Sequence, residues 1–387
     1  MRLILRDGHV DSNVHAQKPP AEPGAAGVHA RGARRAVTLV ELMIAIMIIG
    51  ILAAAILGVA AVAGETAREA KTKSMISRLH SLLMEQYGTY ANRRVRLRPK
   101  VLEAIDQSGG STATKGRIKA EARLYALREM MLMEVPDRWS DVLLNAVPSP
   151  PDSASSFAPI YLDVSNSTNG RTELANLYLR TYRRIASTAN KISGVQNTRD
   201  DVLQNQGAEC LYMVVMNACG DGESRTLFPE SSIGDTDGDG ANEFLDGWGH
   251  PIEFLRVAPG FESDVQVNAN DFGNPPPADP TTVPAWVTAS TGDHDPFDLY
   301  RADQAAFRIM PLIYSAGRDE EFGLRSAPTT VAWFGIPDVT STINLQAAPK
   351  LLPWKDVDDG GTRVYLGTDN LTKTATDNIN NHLISTR

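Results

Sequence analysis

Residues 34–64 read RRAVTLVELMIAIMIIGILAAAILGVAAVAG, with one acidic residue, Glu41, inside an apolar run from Val37 to Ala63. A helix needs about 20 apolar residues to cross a bilayer, so this run is long enough. A carboxylate within a spanning helix costs at least ~2.5 kcal/mol, which makes Glu41 a functional residue by default. Arg31, Arg34 and Arg35 come just before the run and place the preceding segment on the cytoplasmic side. Two plainer readings compete. A secretory signal peptide would end at Ala61-Val62-Ala63, ahead of Gly64, but such peptides have apolar cores of only ~7–15 residues. A plain membrane anchor would leave the cost of Glu41 unexplained.

The order Ala36, Val37-Thr38-Leu39-Val40-Glu41 resembles the cleavage and methylation signal of type IV prepilins and type II secretion pseudopilins. The resemblance implies that a prepilin peptidase cuts between Ala36 and Val37 and that the new N-terminus is methylated. It also implies that Glu41 is the assembly carboxylate, pairing with the terminal amine of a neighbouring subunit. Physically, a buried charge is tolerable when it is paired, so such a pair also sets axial register. The family usually has Gly before the cut and Phe or Met after it, where this chain has Ala36 and Val37, and the leader here is long.

The chain has 387 residues, more than one typical domain, and 42% of them are hydrophobic, enough for a real core. Without residues 1–36 it carries 32 basic and 43 acidic residues, a net charge of −11. Residues 64–200 hold 21 basic and 14 acidic side chains, whereas residues 201–387 hold 11 and 28. An acidic C-terminal half suits hard cations and lacks the basic footprint that nucleic-acid binding needs.

The apolar run continues into GETAREAKTKSMISRLHSLLMEQYGTY, where Met75, Ile76, Leu79, Leu82, Leu83, Gln86 and Tyr90 follow three- and four-residue steps. One helix over 37–90 would be roughly 80 Å long at 1.5 Å per residue, matching the long N-terminal stalk of the family. RRVRLRPK after Asn92 reads as a turn out of the stalk. GGSTATKG near Gly109 lacks the spacing of a phosphate loop and reads as a linker. GRIKAEARLYALREMMLMEV is a helix stopped by Pro136, with a methionine stripe that reads as core. RTELANLYLRTYRRIASTANKI and RDDVLQNQGAECLYMVVMNAC read as two further helices.

The second strong signal is GDTDGDGANEFLDGWG, residues 234–249. Asp235, Asp237 and Asp239 alternate, Gly240 follows, and Glu243 and Asp246 fall at loop positions nine and twelve. This is the spacing of an EF-hand-type calcium loop, in which Ala241 would offer its carbonyl. The plainer alternative is an acidic, glycine-rich surface turn. The loop departs from the motif in closing on Asp246, where Glu is usual, and Pro229 argues against a helix leading in. Next, Trp248-Gly249-His250-Pro251 resembles the strand entry of the major pseudopilin head. Leu312-Ile313-Tyr314-Ser315-Ala316-Gly317-Arg318-Asp319 and Thr368-Asp369-Asn370-Leu371-Thr372 resemble its next strand and its closing acidic loop. That likeness suggests Asp319 and Asp369 as ligands of a second calcium, against a solvated turn. Cys210 and Cys219 are nine residues apart. Export permits a disulfide if the helix ends between them, and two buried free thiols are the alternative.

Neither an HExxH, a GxSxG nor a Rossmann fingerprint occurs, so an enzyme is not expected. The expectation is an α+β protein: leader 1–36, membrane and filament-core half of the stalk helix 37–63, amphipathic half 64–90, helical insertion 91–207, and a calcium-loop head with a mainly antiparallel β-sheet, 208–387. Its expected role is structural subunit of a type II secretion pseudopilus, anchored in the bacterial inner membrane with the head periplasmic. Its expected partners are other pilin or pseudopilin subunits, the prepilin peptidase and the inner-membrane secretion platform. The alternatives are a type IV pilin for adhesion or motility and a membrane-anchored periplasmic hydrolase.

Overall fold

The computed structural model describes residues 38–143, 159–165, 171–192, 205–219, 224–258, 260–261, 263, 265, 295–299, 310–324, 356–357, 363–364, 367 and 378–385. The chain divides into two units, Met1–Val59 and Ala60–Arg387. Helix α1 is continuous over Leu39–Tyr90, as the proline-free run of Ala, Leu, Ile and Met favours. Its large apolar side chains from Leu39 to Val62 are 52–73% exposed. Among the described residues, α1 is the helix long and apolar enough to cross a membrane.

From Thr72 onward the same helix changes character. Met75, Ile76, Leu79, Leu83, Tyr87 and Tyr90 are buried at three- and four-residue steps. Tyr87 occupies the core position that the sequence reading gave to Gln86, which is only half-buried. The phenol of Tyr87 donates to the Arg256 carbonyl at 3.0 Å, so the ring fills the core while its hydroxyl stays satisfied.

After a turn, Pro99 opens α2 (Pro99–Gln107) at the position where its missing N–H costs nothing. The supposed linker at Gly109 is instead a helix start. Ser111 caps α3 (Thr112–Glu134) by accepting from the Thr114 N–H at 3.2 Å, a cap that the Ser/Thr-rich composition disguised. Helix α3 ends before Pro136, and its methionines Met130, Met131 and Met133 are core residues as expected. Helices α4 (Trp139–Leu143), α5 (Glu173–Ile192), α6 (Gln206–Ala218) and α7 (Ser224–Leu227) follow. Asn205 enters α6 in the left-handed region, φ 55°, a conformation asparagine tolerates. Between α4 and α5, the backbone N–H groups of Ile160, Tyr161 and Leu162 donate to the buried Glu129 of α3, fastening that segment to the helix.

The described strands are short, and all their pairings are antiparallel. Strands β1 (Ile233–Gly234) and β2 (Glu243–Phe244) form a hairpin with Gly234 opposite Glu243. Strands β3 (Glu253–Leu255) and β4 (Leu312–Ser315) pair in register Glu253 to Tyr314, and β5 (Asp356–Val357) pairs with β6 (Arg363–Val364). Strand β7 (Ile379–Asn380) completes a three-stranded sheet of order β3-β4-β7 and runs into α8 (Asn381–Ser385). One core joins these parts: Leu79 and Leu83 of α1, Tyr125 of α3, Tyr178 of α5, Leu211 and Val214 of α6, and Phe244 and Phe254 of the strands.

A buried charge cluster lies within that core. Arg256, just after β3, donates to Asp141 Oδ2 at 2.7 Å and to the Val135 carbonyl at 3.0 Å. Its backbone N–H donates to Asp137 Oδ2 at 3.0 Å. Asp137 is further held by Arg138. Buried charges persist only with such pairing.

Candidate functional site

The first turn of α1 carries the reciprocal arrangement of a capping box. Glu41 N–H donates to Thr38 Oγ1 at 3.2 Å, while Thr38 N–H donates back to Glu41 Oε2 at 2.9 Å. The spacing Thr38-x-x-Glu41 is the sequence signal for this, and the sequence reading passed over it. The carboxylate therefore satisfies the Thr38 N–H at its own helix start, where the helix dipole also favours negative charge. Ala36 and Val37, the expected processing pair, lie outside the described residues.

Past the membrane-length half, one loop sits directly on α1. Gly247 lies so close to Arg68 that a Cβ added to it would come 2.2 Å from the Arg68 carbonyl oxygen. Only glycine fits there, for want of space. Gly247 N–H donates to Thr72 Oγ1 at 2.8 Å, and the Trp248 indole donates to Glu65 Oε2 at 3.0 Å. Asp246 organises this loop. Its Oδ1 accepts from the N–H groups of Trp248, Gly249 and His250 at 2.8, 2.8 and 3.0 Å, and its Oδ2 accepts from the Ser315 hydroxyl of β4 at 2.7 Å. The Trp248–Pro251 segment singled out in the sequence is thus the point where the head grips its helix.

The expected calcium loop leads into this turn. Its last residue, Asp246, is not among the carboxylates whose ligand atoms gather. The loop spans a β-hairpin, not two helices, and Glu243 at position nine, opposite Gly234, closes it. Two overlapping groups of carboxylates have ligand atoms within 4.8 Å of one another: Asp235, Asp237 and Glu243, and Glu209, Asp237 and Asp239. Glu209 comes from α6 and was missed in the sequence. The only signal for it there is an acid set in the apolar stretch Ala208–Met216.

Backbone N–H groups of the loop satisfy part of the cluster. Gly238 and Gly240 donate to the two oxygens of Asp235 at 2.7 and 3.0 Å. Ala241 donates to Asp239 at 2.7 Å, and Thr236 donates to Glu243 Oε2 at 3.0 Å. Burial pushes Glu209 up to about 10, aided by Asp239, and pushes Glu243 up to about 8 against the Thr236 bond. Burial and Asp239 together raise Asp237 to about 6. These acids crowd one another in a dry place, so the arrangement favours anything that supplies positive charge there. Four buried oxygens have no hydrogen-bond partner among the described residues: Glu209 Oε1, Asp237 Oδ2, Asp239 Oδ2 and Glu243 Oε1. The donor set is all oxygen, which fits calcium.

The remaining expected site residues are Asp319, Asp369 and the two cysteines. Asp319 is exposed after β4, where it accepts from the Glu321 N–H at 3.0 Å. Its suggested partner Asp369 lies outside the described residues. Cys210 and Cys219 are both buried and not joined by a disulfide, the alternative that their spacing left open. Cys210 belongs to the body of α6 and Cys219 caps its C-terminus, so α6 runs unbroken between them and no bridge forms.

These features are an apolar N-terminal helix of membrane-spanning length that opens on a capped glutamate, and a mixed α+β head. Residues 31–57 match the family model of the prokaryotic N-terminal methylation motif, the signature of type IV pilins and pseudopilins. Comparison with curated proteins and with solved structures gives no match.

Proposed function

We propose that this chain is a structural subunit of a type II secretion pseudopilus, cut by a prepilin peptidase between Ala36 and Val37 and assembled through its N-terminal helix. The observation that carries the reading is the methylation motif, residues 31–57, laid over the start of a helix whose apolar side chains are exposed. Exposed apolar surface of that extent needs lipid before assembly or neighbouring subunits after it. The arginines before the run support a cytoplasmic N-terminus and a periplasmic head.

Glu41 would exchange its cap bonds for the methylated amine of an adjacent subunit, a pairing the capping turn already aims toward the helix start. The likeness of Trp248-Gly249-His250-Pro251 to the major pseudopilin head favours secretion over a type IV pilus for adhesion or motility, which is the second reading. The role is structural, not catalytic.

Two measurements test this. Mass spectrometry of the membrane-extracted protein should give an N-terminus at Val37 carrying one methyl group, and a terminus at Gly64 would establish a cleaved signal peptide instead. Deleting the gene should abolish release of a set of exported proteins while leaving surface pili and motility intact. The opposite pattern would establish the pilus.

A further inference from the structure

We propose that Glu209 of α6 completes an all-oxygen divalent-cation site with Asp235, Asp237, Asp239 and Glu243, calcium being the matching ion, and so clamps α6 to the β1–β2 hairpin. The loop spacing alone speaks only for the hairpin residues. The independent observation is Glu209, which lies outside the loop, is 1% exposed, keeps Oε1 without a partner, and brings a carboxylate oxygen within 4.8 Å of ligand atoms of Asp237 and Asp239. Its other oxygen accepts from the Trp139 indole, which holds the carboxylate in place. Glu243 is 0% and Asp239 4% exposed, and each also keeps one oxygen unpartnered.

The geometry suits one ion near Asp237, the residue both groups share. Ligand atoms within 4.8 Å of one another match the span across an ion with metal–oxygen bonds of ~2.4 Å. A backbone N–H holds one oxygen of each of Asp237, Asp239 and Glu243, which fixes the carboxylate and leaves its other oxygen unpartnered. A cavity of about 500 Å³, lined by Trp139, Glu209, Tyr212, Gly240, Ala241 and Asn242, opens onto Glu209. Neither His nor Cys belongs to the donor set, which disfavours zinc or copper. Magnesium demands tight octahedral geometry and retains its waters, so a loop-borne carboxylate cage suits calcium better.

The rival is a proton shared between Glu209 and Asp239, which would relieve the same crowding without any ion. The two are separated with the full-length protein in detergent micelles, titrated with calcium chloride by calorimetry and melted in calcium and in chelator. Calcium should bind at one ion per chain and raise the melting temperature. Glu209→Gln, which keeps an acceptor for Trp139 but cannot present a carboxylate to the ion, should weaken calcium at least tenfold. Asp237→Asn should reduce binding below detection. Asp319→Asn should leave binding unchanged, and Asp235→Asn provides an independent check if Asp237→Asn fails to fold. Glu209→Gln binding calcium as tightly as the parent would remove Glu209 from the site. A parent protein that neither binds millimolar calcium nor changes its melting temperature would leave the shared proton as the explanation.

Discussion

Single side chains carry unequal weight in this molecule. Glu41 is satisfied locally by Thr38, so its substitution has two separable effects. Glu41→Ala should leave membrane insertion intact or improved, because a carboxylate leaves the bilayer, and should impair incorporation into filaments. Loss of the cap should itself cost only about 1 kcal/mol of helix stability. Membrane fractionation and electron microscopy of filaments check the two effects, and filaments of normal yield would end the pairing role. Asp246→Ala is predicted to be worse for the fold. It strips acceptors from three backbone N–H groups and the buried Ser315 hydroxyl, for an expected loss of about 3 kcal/mol, read as a lower denaturant midpoint at unchanged slope.

At the scale of elements, α6 against β3 shows how burial sets pH dependence. Glu253 of β3 is buried, and burial pushes its carboxyl up to about 7 from an ordinary 4.5. Its Oε2 would lie 2.2 Å from a Cβ placed on Gly207 of α6, so a side chain there would push the carboxylate aside. The folded protein holds a proton that the unfolded chain releases. Stability from this group is therefore complete below about pH 4.5 and is lost as pH rises through about 7. The loss is on the order of 3 kcal/mol. Glu253→Gln should flatten that part of the decline, so its melting temperature should fall less than the parent's between about pH 5 and 8. Parallel slopes would show that Glu253 titrates normally.

Long periodic elements were legible in the sequence, and irregular close contacts were not. The register of α1 could be read from Met75 to Tyr90 because burial on one face repeats every three or four residues. Gln86 was misread for Tyr87 because adjacent positions near the stripe edge differ little in phase. The cap at Ser111 looked like a linker because Ser and Thr serve both purposes. The acidic loop announced itself by spacing, but the spacing could not show that Asp246 bonds the Trp248 turn and Ser315. Nor could it reach Glu209, 26 residues before Asp235, which only the packing of α6 on the hairpin brings in.

The whole molecule is held together at Arg256. Its guanidinium meets Val135 and Asp141 from the helical part, its N–H meets Asp137, and its carbonyl accepts from Tyr87 of α1. Arg256→Ala should cost about 3–5 kcal/mol, because it leaves buried Asp137 and Asp141 short of positive charge. Adding Asp141→Asn should recover part of that loss. Thermal unfolding of the single and double variants measures it, and a single variant within 1 kcal/mol of the parent would contradict the pairing.

The seat of Gly247 on α1 also has a mechanical consequence. A load applied along α1 near Arg68 passes on through the bonds that this loop makes. Gly247 and Trp248 bond Thr72 and Glu65, while Asp246 ties the same short loop to Ser315 of the three-stranded sheet. Bonds placed side by side under an axial load are strained together and give way together, whereas bonds at a fraying edge would open singly. The missing side chain at Gly247 is what lets the two backbones meet closely enough for force to pass from helix to sheet through a few stiff ångströms instead of a compliant linker.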